Sequence, residues 1–180
     1  MDRIKLATVW FSGCAGCHMS FLDLDEFLID ISSKIELVYG PFVDSKEYPK
    51  NVDVVLVEGA IGYDEQLHFI ETIRKNSKIV VSFGDCAMTG NVPAMRNHFG
   101  SPEAVFNTAY FDNANENKQI PKYDKVLPVL LEKVRPLHEV IKVDYFLPGC
   151  PPPASRIKKV VSKLLAGEVP ILEGDDLKNG

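Results

Sequence analysis

Lys5-Leu-Ala-Thr-Val-Trp-Phe-Ser-Gly-Cys-Ala-Gly-Cys17 runs from an apolar segment straight into a loop of small residues and thiols. A nearly continuous apolar run of this length reads as a β-strand covered on both faces. Beyond the loop, Phe21, Leu24, Leu28 and Ile31 recur at helical spacing. The unit is therefore strand, loop, helix, and it repeats along the chain. Ile35–Tyr39, Val52–Glu58, Lys78–Phe83 and Val143–Leu147 read as further strands. Asp64 is suited to N-cap a helix carrying Leu67, Ile70 and Ile73. Ile157, Val160, Val161, Leu164 and Leu165 form one apolar stripe, with Gly167 as its stop.

Strands alternating with helices predict an α/β fold with a parallel sheet and helices on both faces, the doubly wound class. Five strands in one domain predict a flavodoxin-like arrangement over residues 1–172. The acidic, polar tail 173–180 is expected to fray or to dock on a partner. In the middle, Asn107–Asn117 is rich in asparagine and reads as an exposed loop. Val126–Val134 reads as a helix, with Pro128 near its start and Pro136 ending it.

Composition removes several classes of function. A net charge of −5 argues against nucleic acid as a partner. No run approaches 18 apolar residues, so no transmembrane segment is expected. The first residues lack the apolar core of a secretory signal, which predicts a cytoplasmic location. In that compartment thiols stay reduced, and the four cysteines point to metal or redox chemistry rather than structural disulfides.

Cys14 and Cys17 follow the first strand, Cys86 follows Lys78–Phe83, and Cys150 follows Val143–Leu147. All four lie just past a strand's carboxyl end, and in an open parallel sheet those ends share the ligand-binding edge. Thiols far apart in sequence can thus meet around one centre. Several readings are open. A buried cysteine can serve as a small apolar residue. Cys14-Ala-Gly-Cys17 alone could be a dithiol oxidoreductase site, which leaves Cys86 and Cys150 unexplained. Zinc accepts four thiolates, although its ribbons usually bring two close pairs and here one pair is close. A [4Fe–4S] cluster also takes four thiolates, and one close pair plus two remote ligands suits it. Gly13, Gly16 and Gly149 stand next to cysteines, and Gly84 stands two before Cys86. Glycines there let backbone approach closely and aim N–H groups at sulfurs.

Gly13-Cys-Ala-Gly-Cys17, Val57-Glu-Gly-Ala-Ile61, Gly84-Asp-Cys-Ala87 and Pro148-Gly-Cys-Pro-Pro152, in this order, resemble the small subunit of nickel–iron hydrogenases. Gly16-Cys-His-Met-Ser-Phe-Leu-Asp23 and Asn91-Val-Pro-Ala-Met-Arg-Asn-His98 look like the NAD-reducing bidirectional branch. The resemblance implies that Cys14, Cys17, Cys86 and Cys150 hold the one [4Fe–4S] cluster nearest the nickel–iron site. It implies a large subunit carrying that site, and diaphorase and iron–sulfur subunits carrying other clusters, FMN and NAD. No cysteine follows Cys150, so one cluster is expected rather than three. The homologous subunit of respiratory Complex I is a competing resemblance, but its pattern has adjacent cysteines where Ala15 and Gly16 intervene here. Deazaflavin- or sulfur-reducing hydrogenase subunits are another.

Around the ligands, Gly13, Gly16, Glu58 and Gly149 are the expected supporting positions. Glu58 ends an apolar strand at the cysteine edge and is read either as a solvated strand terminus or, as the family match implies, in a supporting or proton-path role. His18 is read either as a neighbour of the cluster or as an ordinary first-turn residue. Arg96, Asn97 and His98 are read as facing the large subunit or as a polar loop. The chain shows no catalytic nucleophile, no paired carboxylates, no phosphate loop and no G-x-G-x-x-G, so no catalytic residue and no nicotinamide site is expected.

Overall fold

The computed structural model describes residues 3–121 and 126–178. Its centre is a parallel sheet of β1 (Ile4–Trp10), β2 (Ile35–Tyr39), β3 (Val52–Glu58), β5 (Ser77–Phe83) and β7 (Tyr145–Leu147). The order across the sheet is β2-β1-β3-β5-β7. Counting these five strands alone, that is 2-1-3-4-5, the flavodoxin-like order. All five strands read from the sequence are present, shifted at most by a residue or two at their ends.

Side chains alternate across the strands, so the sheet divides the apolar interior in two. Leu6, Val54, Leu56, Val81, Phe83 and Leu147 face α1 (Gly16–Leu22), α2 (Glu26–Ile31) and α7 (Ala154–Leu165). Ala7, Val9, Val55, Val57 and Val80 face α3 (Asp64–Asn76) and Leu137. Coverage on both faces is why the middle of β3, Val54–Val57, and of β5, Ile79–Val81, is unbroken apolar sequence. In α7, Ile157, Val160, Val161 and Leu164 are buried as the stripe predicts, and Gly167 follows at φ +71°.

Elsewhere the structure departs from the sequence reading. The first helix is two helices, because Asp25 takes a positive φ of +49° between α1 and α2. Asp64 is the first residue of α3 rather than its cap. Its Oδ1 accepts the N–H groups of Glu65 (2.8 Å) and Val129 (3.0 Å). The helix expected over 126–134 is instead β6 (Leu130–Arg135), paired antiparallel with the three-residue β4 (Ile61–Tyr63). A long-range pairing overrides the local pattern there. α4 (Asp85–Thr89), α5 (Asn91–Ala94) and α6 (Pro102–Asn107) fill the connection from β5. Thr108–Asp112, expected as loop, extends α6 by a wide helical turn of π type.

The tail lies on this chain's own last helix as far as Lys178. Arg156 donates to the carbonyl oxygens of Asp175 (2.8 Å) and Lys178 (2.9 Å). Residues 179–180 of the expected tail fall outside the described residues. Among the described residues no helix is long and apolar enough to cross a membrane.

Candidate metal centre

Register across the sheet aligns Trp10 with Glu58, Glu58 with Phe83, and Phe83 with Leu147. These four residues form one row at the carboxyl rim. Cys14 follows the row by four positions, Cys86 by three and Cys150 by three. The parallel sheet therefore delivers three thiol-bearing loops to one edge, as the sequence predicts.

The first loop leaves β1 along the extension of β3. Phe11 N–H donates to Glu58 O (2.8 Å), and Ser12 and Ala60 exchange backbone hydrogen bonds. Ala15 then turns at φ +68° into α1. This leaves Cys14 exposed and Cys17 buried. The second loop turns at Gly84 (φ +83°) into α4, leaving Cys86 half-buried. The third carries Gly149 at φ +136° before the exposed Cys150.

The loops touch one another. A Cβ built on Gly84 would stand 2.2 Å from Cys17 Sγ and 3.4 Å from Gly149 O. One on Gly16 would stand 3.3 Å from Cys14 Sγ and 3.9 Å from Pro151 Cβ. Gly84 N–H donates to Leu147 O (2.8 Å), and Ser20 Oγ donates to Pro152 O (2.5 Å). Asn91 Nδ2 donates to Cys150 Sγ (3.4 Å). Arg156 fixes the third loop from behind through Pro148 O (2.6 Å).

The thiols also sense each other electrostatically. Burial pushes the Cys17 thiol up, and the charges of Glu58, Cys86, Cys14 and Cys150 add to that rise. Burial likewise pushes Cys86 up to about 11, with Cys150, Cys14 and Glu58 contributing. At Cys17 and Cys86 the neutral thiol is thus favoured at pH 7 in the metal-free chain, and a metal that takes these two as thiolates must displace their protons.

Glu58 is only 1% exposed. Its carboxylate accepts the N–H groups of Cys17 (3.4 Å) and His18 (2.9 Å), and it also bonds His18 Nδ1. Two successive amides at the start of α1 are thereby gripped from the end of β3. His18, 2% exposed, turns inward between Phe42 and Phe83. The four expected ligands and Gly16, Glu58 and Gly149 come together at this rim. Gly13 stands on its Glu58 side, where a Cβ would lie 3.8 Å from Glu58 Oε1.

Arg96 and Asn97 do not belong to the rim. Arg96 donates to Gly62 O (3.0 Å) and Leu131 O (2.8 Å), while Asn97 bonds both backbone groups of Val134. They join the β4–β6 pair to the body. The sequence reading quoted Ser20, Asp85 and Asn91 within its motifs and gave none of them a part. Only Asp85 carried a signal, by standing next to Cys86.

An iron–sulfur group fits this rim on the chemistry of its donors. All four are free thiols, and Gly84 leaves open, beside Cys17 Sγ, the space a side chain would fill. Among the described residues no three His, Cys, Asp or Glu side chains gather tightly enough for a single metal ion. Four thiolates on one zinc at 2.3 Å would lie only about 3.8 Å apart. A polynuclear cluster, with each thiolate on its own iron, takes a wider set.

Fold and thiol placement define a flavodoxin-like domain that presents cysteines at the ligand-binding edge of its sheet. The model of one family, the NADH ubiquinone oxidoreductase 20 kDa subunit, matches residues 14–164, and the chain belongs to that family. Its relatives include hydrogenase subunits, in agreement with the resemblance read from the motifs. It is 41% identical over 171 residues to a subunit of the vhu F420-non-reducing hydrogenase of Methanocaldococcus jannaschii, covering 94% of this chain and 58% of that one. It is 39% identical over 168 residues to the delta subunit of the NAD-reducing hydrogenase HoxS of Cupriavidus necator, covering 92% and 80%. The chain thus spans little more than half the length of the first of these. Among solved structures, a NAD+-reducing [NiFe]-hydrogenase in its H2-reduced state superposes with a TM-score of 0.94 at 34% identity, over 99% of this chain and all of that one. A [NiFeSe]-hydrogenase of Dm. baculatum shares the fold at a TM-score of 0.59 and 19% identity, over 98% of this chain and 69% of that one.

Proposed function

We propose that this chain is the electron-transfer subunit of a cytoplasmic NAD-reducing [NiFe] hydrogenase, and that Cys14, Cys17, Cys86 and Cys150 hold one [4Fe–4S] cluster. The observation that carries the reading is the arrival of four free thiols on three contacting loops at one sheet rim. NAD as the acceptor is supported by the full-length match to the NAD+-reducing enzyme. In this reading a large subunit holds the nickel–iron site. Diaphorase and iron–sulfur subunits hold the remaining clusters, FMN and the nicotinamide.

When bound, such a cluster supplies one-electron transfer between the large subunit and the diaphorase. The chain's own part is to hold and shape. Cys14, Cys17, Cys86 and Cys150 supply the thiolates. Gly84 and Gly16 keep side chains away from the sulfurs. Glu58 fixes the Cys17 backbone through hydrogen bonds to two amides. Burial around Cys17 keeps water from part of the centre, one of the levers on reduction potential.

The test is anaerobic iron and sulfide analysis of the purified chain, with electron paramagnetic resonance after reduction. About four iron per chain, a broad brown absorbance and a reducible signal are expected. Cys86→Ala and Cys150→Ala should each abolish them. A stoichiometric zinc content, or cysteine variants that keep their iron, would refute the reading. Purified with its partner subunits, the chain should support hydrogen-dependent reduction of NAD+.

A further inference from the structure

We propose that Asp85 is a positioning residue for the centre, locking the Cys86 loop to the Cys150 loop before any metal enters. The proposal rests on the reading of those two cysteines as ligands. Asp85 directly precedes Cys86 and is 6% exposed. Its Oδ1 accepts the N–H of Gly149 at 2.7 Å, across 64 residues of chain. Its own N–H donates to Gly149 O at 2.9 Å. Gly149 directly precedes Cys150. A two-way bond thus joins the residues immediately before two ligands.

The strand ladder makes this unusual. Regular pairing of β5 with β7 ends at Phe83 and Leu147. Gly84 N–H to Leu147 O adds one bond, and there the chains would be free to part toward α4 and the proline run. Asp85 carries the connection past the strand ends by using its side chain in place of a backbone carbonyl. A bond from N–H to a carboxylate is charge-assisted and roughly twice as strong as a neutral one. Glu58 does the same for the Cys17 loop, so two buried carboxylates hold three thiol loops from below. Groups that orient ligands in this way typically change metal affinity by about ten- to a hundredfold when removed.

The experiment loads iron and sulfide into the full chain anaerobically. It then times the loss of visible absorbance to a ferrous chelator and records the spectrum of the reduced form. Asp85→Ala should release iron roughly ten- to a hundredfold faster than wild type, with shifted resonance positions. Asp85→Asn, which keeps an oxygen but loses the charge, should fall between them. Asp144→Asn changes a carboxyl that stands just before β7, three positions short of the Leu147 row, and bonds Arg74 and Val80 N–H rather than a cysteine loop. It should lower thermal stability yet release iron at the wild-type rate. Wild-type release from Asp85→Ala, or equally fast release from Asp144→Asn, would overturn the proposal. If Asp85→Ala does not fold, Asp85→Asn decides, and release no faster than from Asp144→Asn would overturn it. A wild-type chain that takes up no iron would refute the ligand assignment itself, and the role of Asp85 with it. Failure of Asp85 alone leaves the wild type loaded.

Discussion

Ser20, in the first helix, donates its hydroxyl to the backbone oxygen of Pro152 at 2.5 Å, joining parts of the chain 132 residues apart. The bond ties the loop of Cys14 and Cys17 to the loop of Cys150. It is buried, so its loss leaves a carbonyl with no water to replace the donor. Ser20→Ala is expected to cost about 1–3 kcal/mol. In a chain of this size that lowers Tm by roughly 2–4 °C per kcal/mol. Thermal unfolding of the metal-free chain checks it, and an unchanged Tm would count against the bond.

Gly84 combines two demands that no other residue meets. Its φ of +83° lies in the region that L side chains rarely adopt, and its missing Cβ leaves room for Cys17 Sγ. Gly84→Ala should cost about 1–3 kcal/mol from backbone strain alone, since φ +83° with ψ 165° is a conformation kept almost entirely to glycine, and it should also displace Cys17. Iron content should fall well below wild type even in protein that is folded by circular dichroism. Full iron loading in that variant would show that the loop yields more readily than the contact implies.

Asp144 predicts a pH dependence. Burial would raise its pKa, but hydrogen bonds from Arg74 and Val80 N–H, with the charges of Arg74 and Lys142, outweigh that and leave it lowered. A carboxyl lowered in the folded state contributes stability above its unfolded pKa, near 3.9, and loses it as pH falls through the folded value. Wild type should therefore exceed Asp144→Asn by about 1.5–3 kcal/mol at pH 7. The gap should close below roughly pH 4. Tm measured from pH 3 to 7 on both proteins tests the sign.

Arg96 holds the small β4–β6 pair to the body through the carbonyls of Gly62 and Leu131. Arg96→Ala should speed amide hydrogen exchange over 130–135 while leaving β1, β3 and β5 protected. Uniform acceleration across both sheets would mean that the pair is an inseparable part of the main cooperative unit.

The limits of reading this fold from sequence follow from the range of the interactions involved. β1, β3 and β5 announced themselves because both of their faces are largely buried, which leaves runs rich in apolar residues; β2 and β7 were read from shorter runs of β-favouring residues. The cysteines were legible for a related reason, since a strand end in a parallel sheet fixes which edge a thiol reaches. β4 is three residues long, and β6 carries exposed Glu132 and Lys133, so neither has a signal apart from its partner. Arg96 looked like a surface residue because the carbonyls it serves lie more than thirty positions away in the chain. Ser20 and Asp85 act on backbone atoms of distant loops, and no local pattern records such a bond. The break at Asp25 was hidden because an aspartate can hold a positive φ without a glycine to mark it.

The sheet parts the interior into two apolar halves, and the cysteine rim leans on both. Cys17 packs with the half beneath α1, α2 and α7, while Ala87, next to Cys86, packs with the half beneath α3. Neither half can soften without disturbing the footing of at least one sulfur. Heat inactivation should therefore keep time with whichever half loosens first, ahead of the collapse of the molecule as a whole.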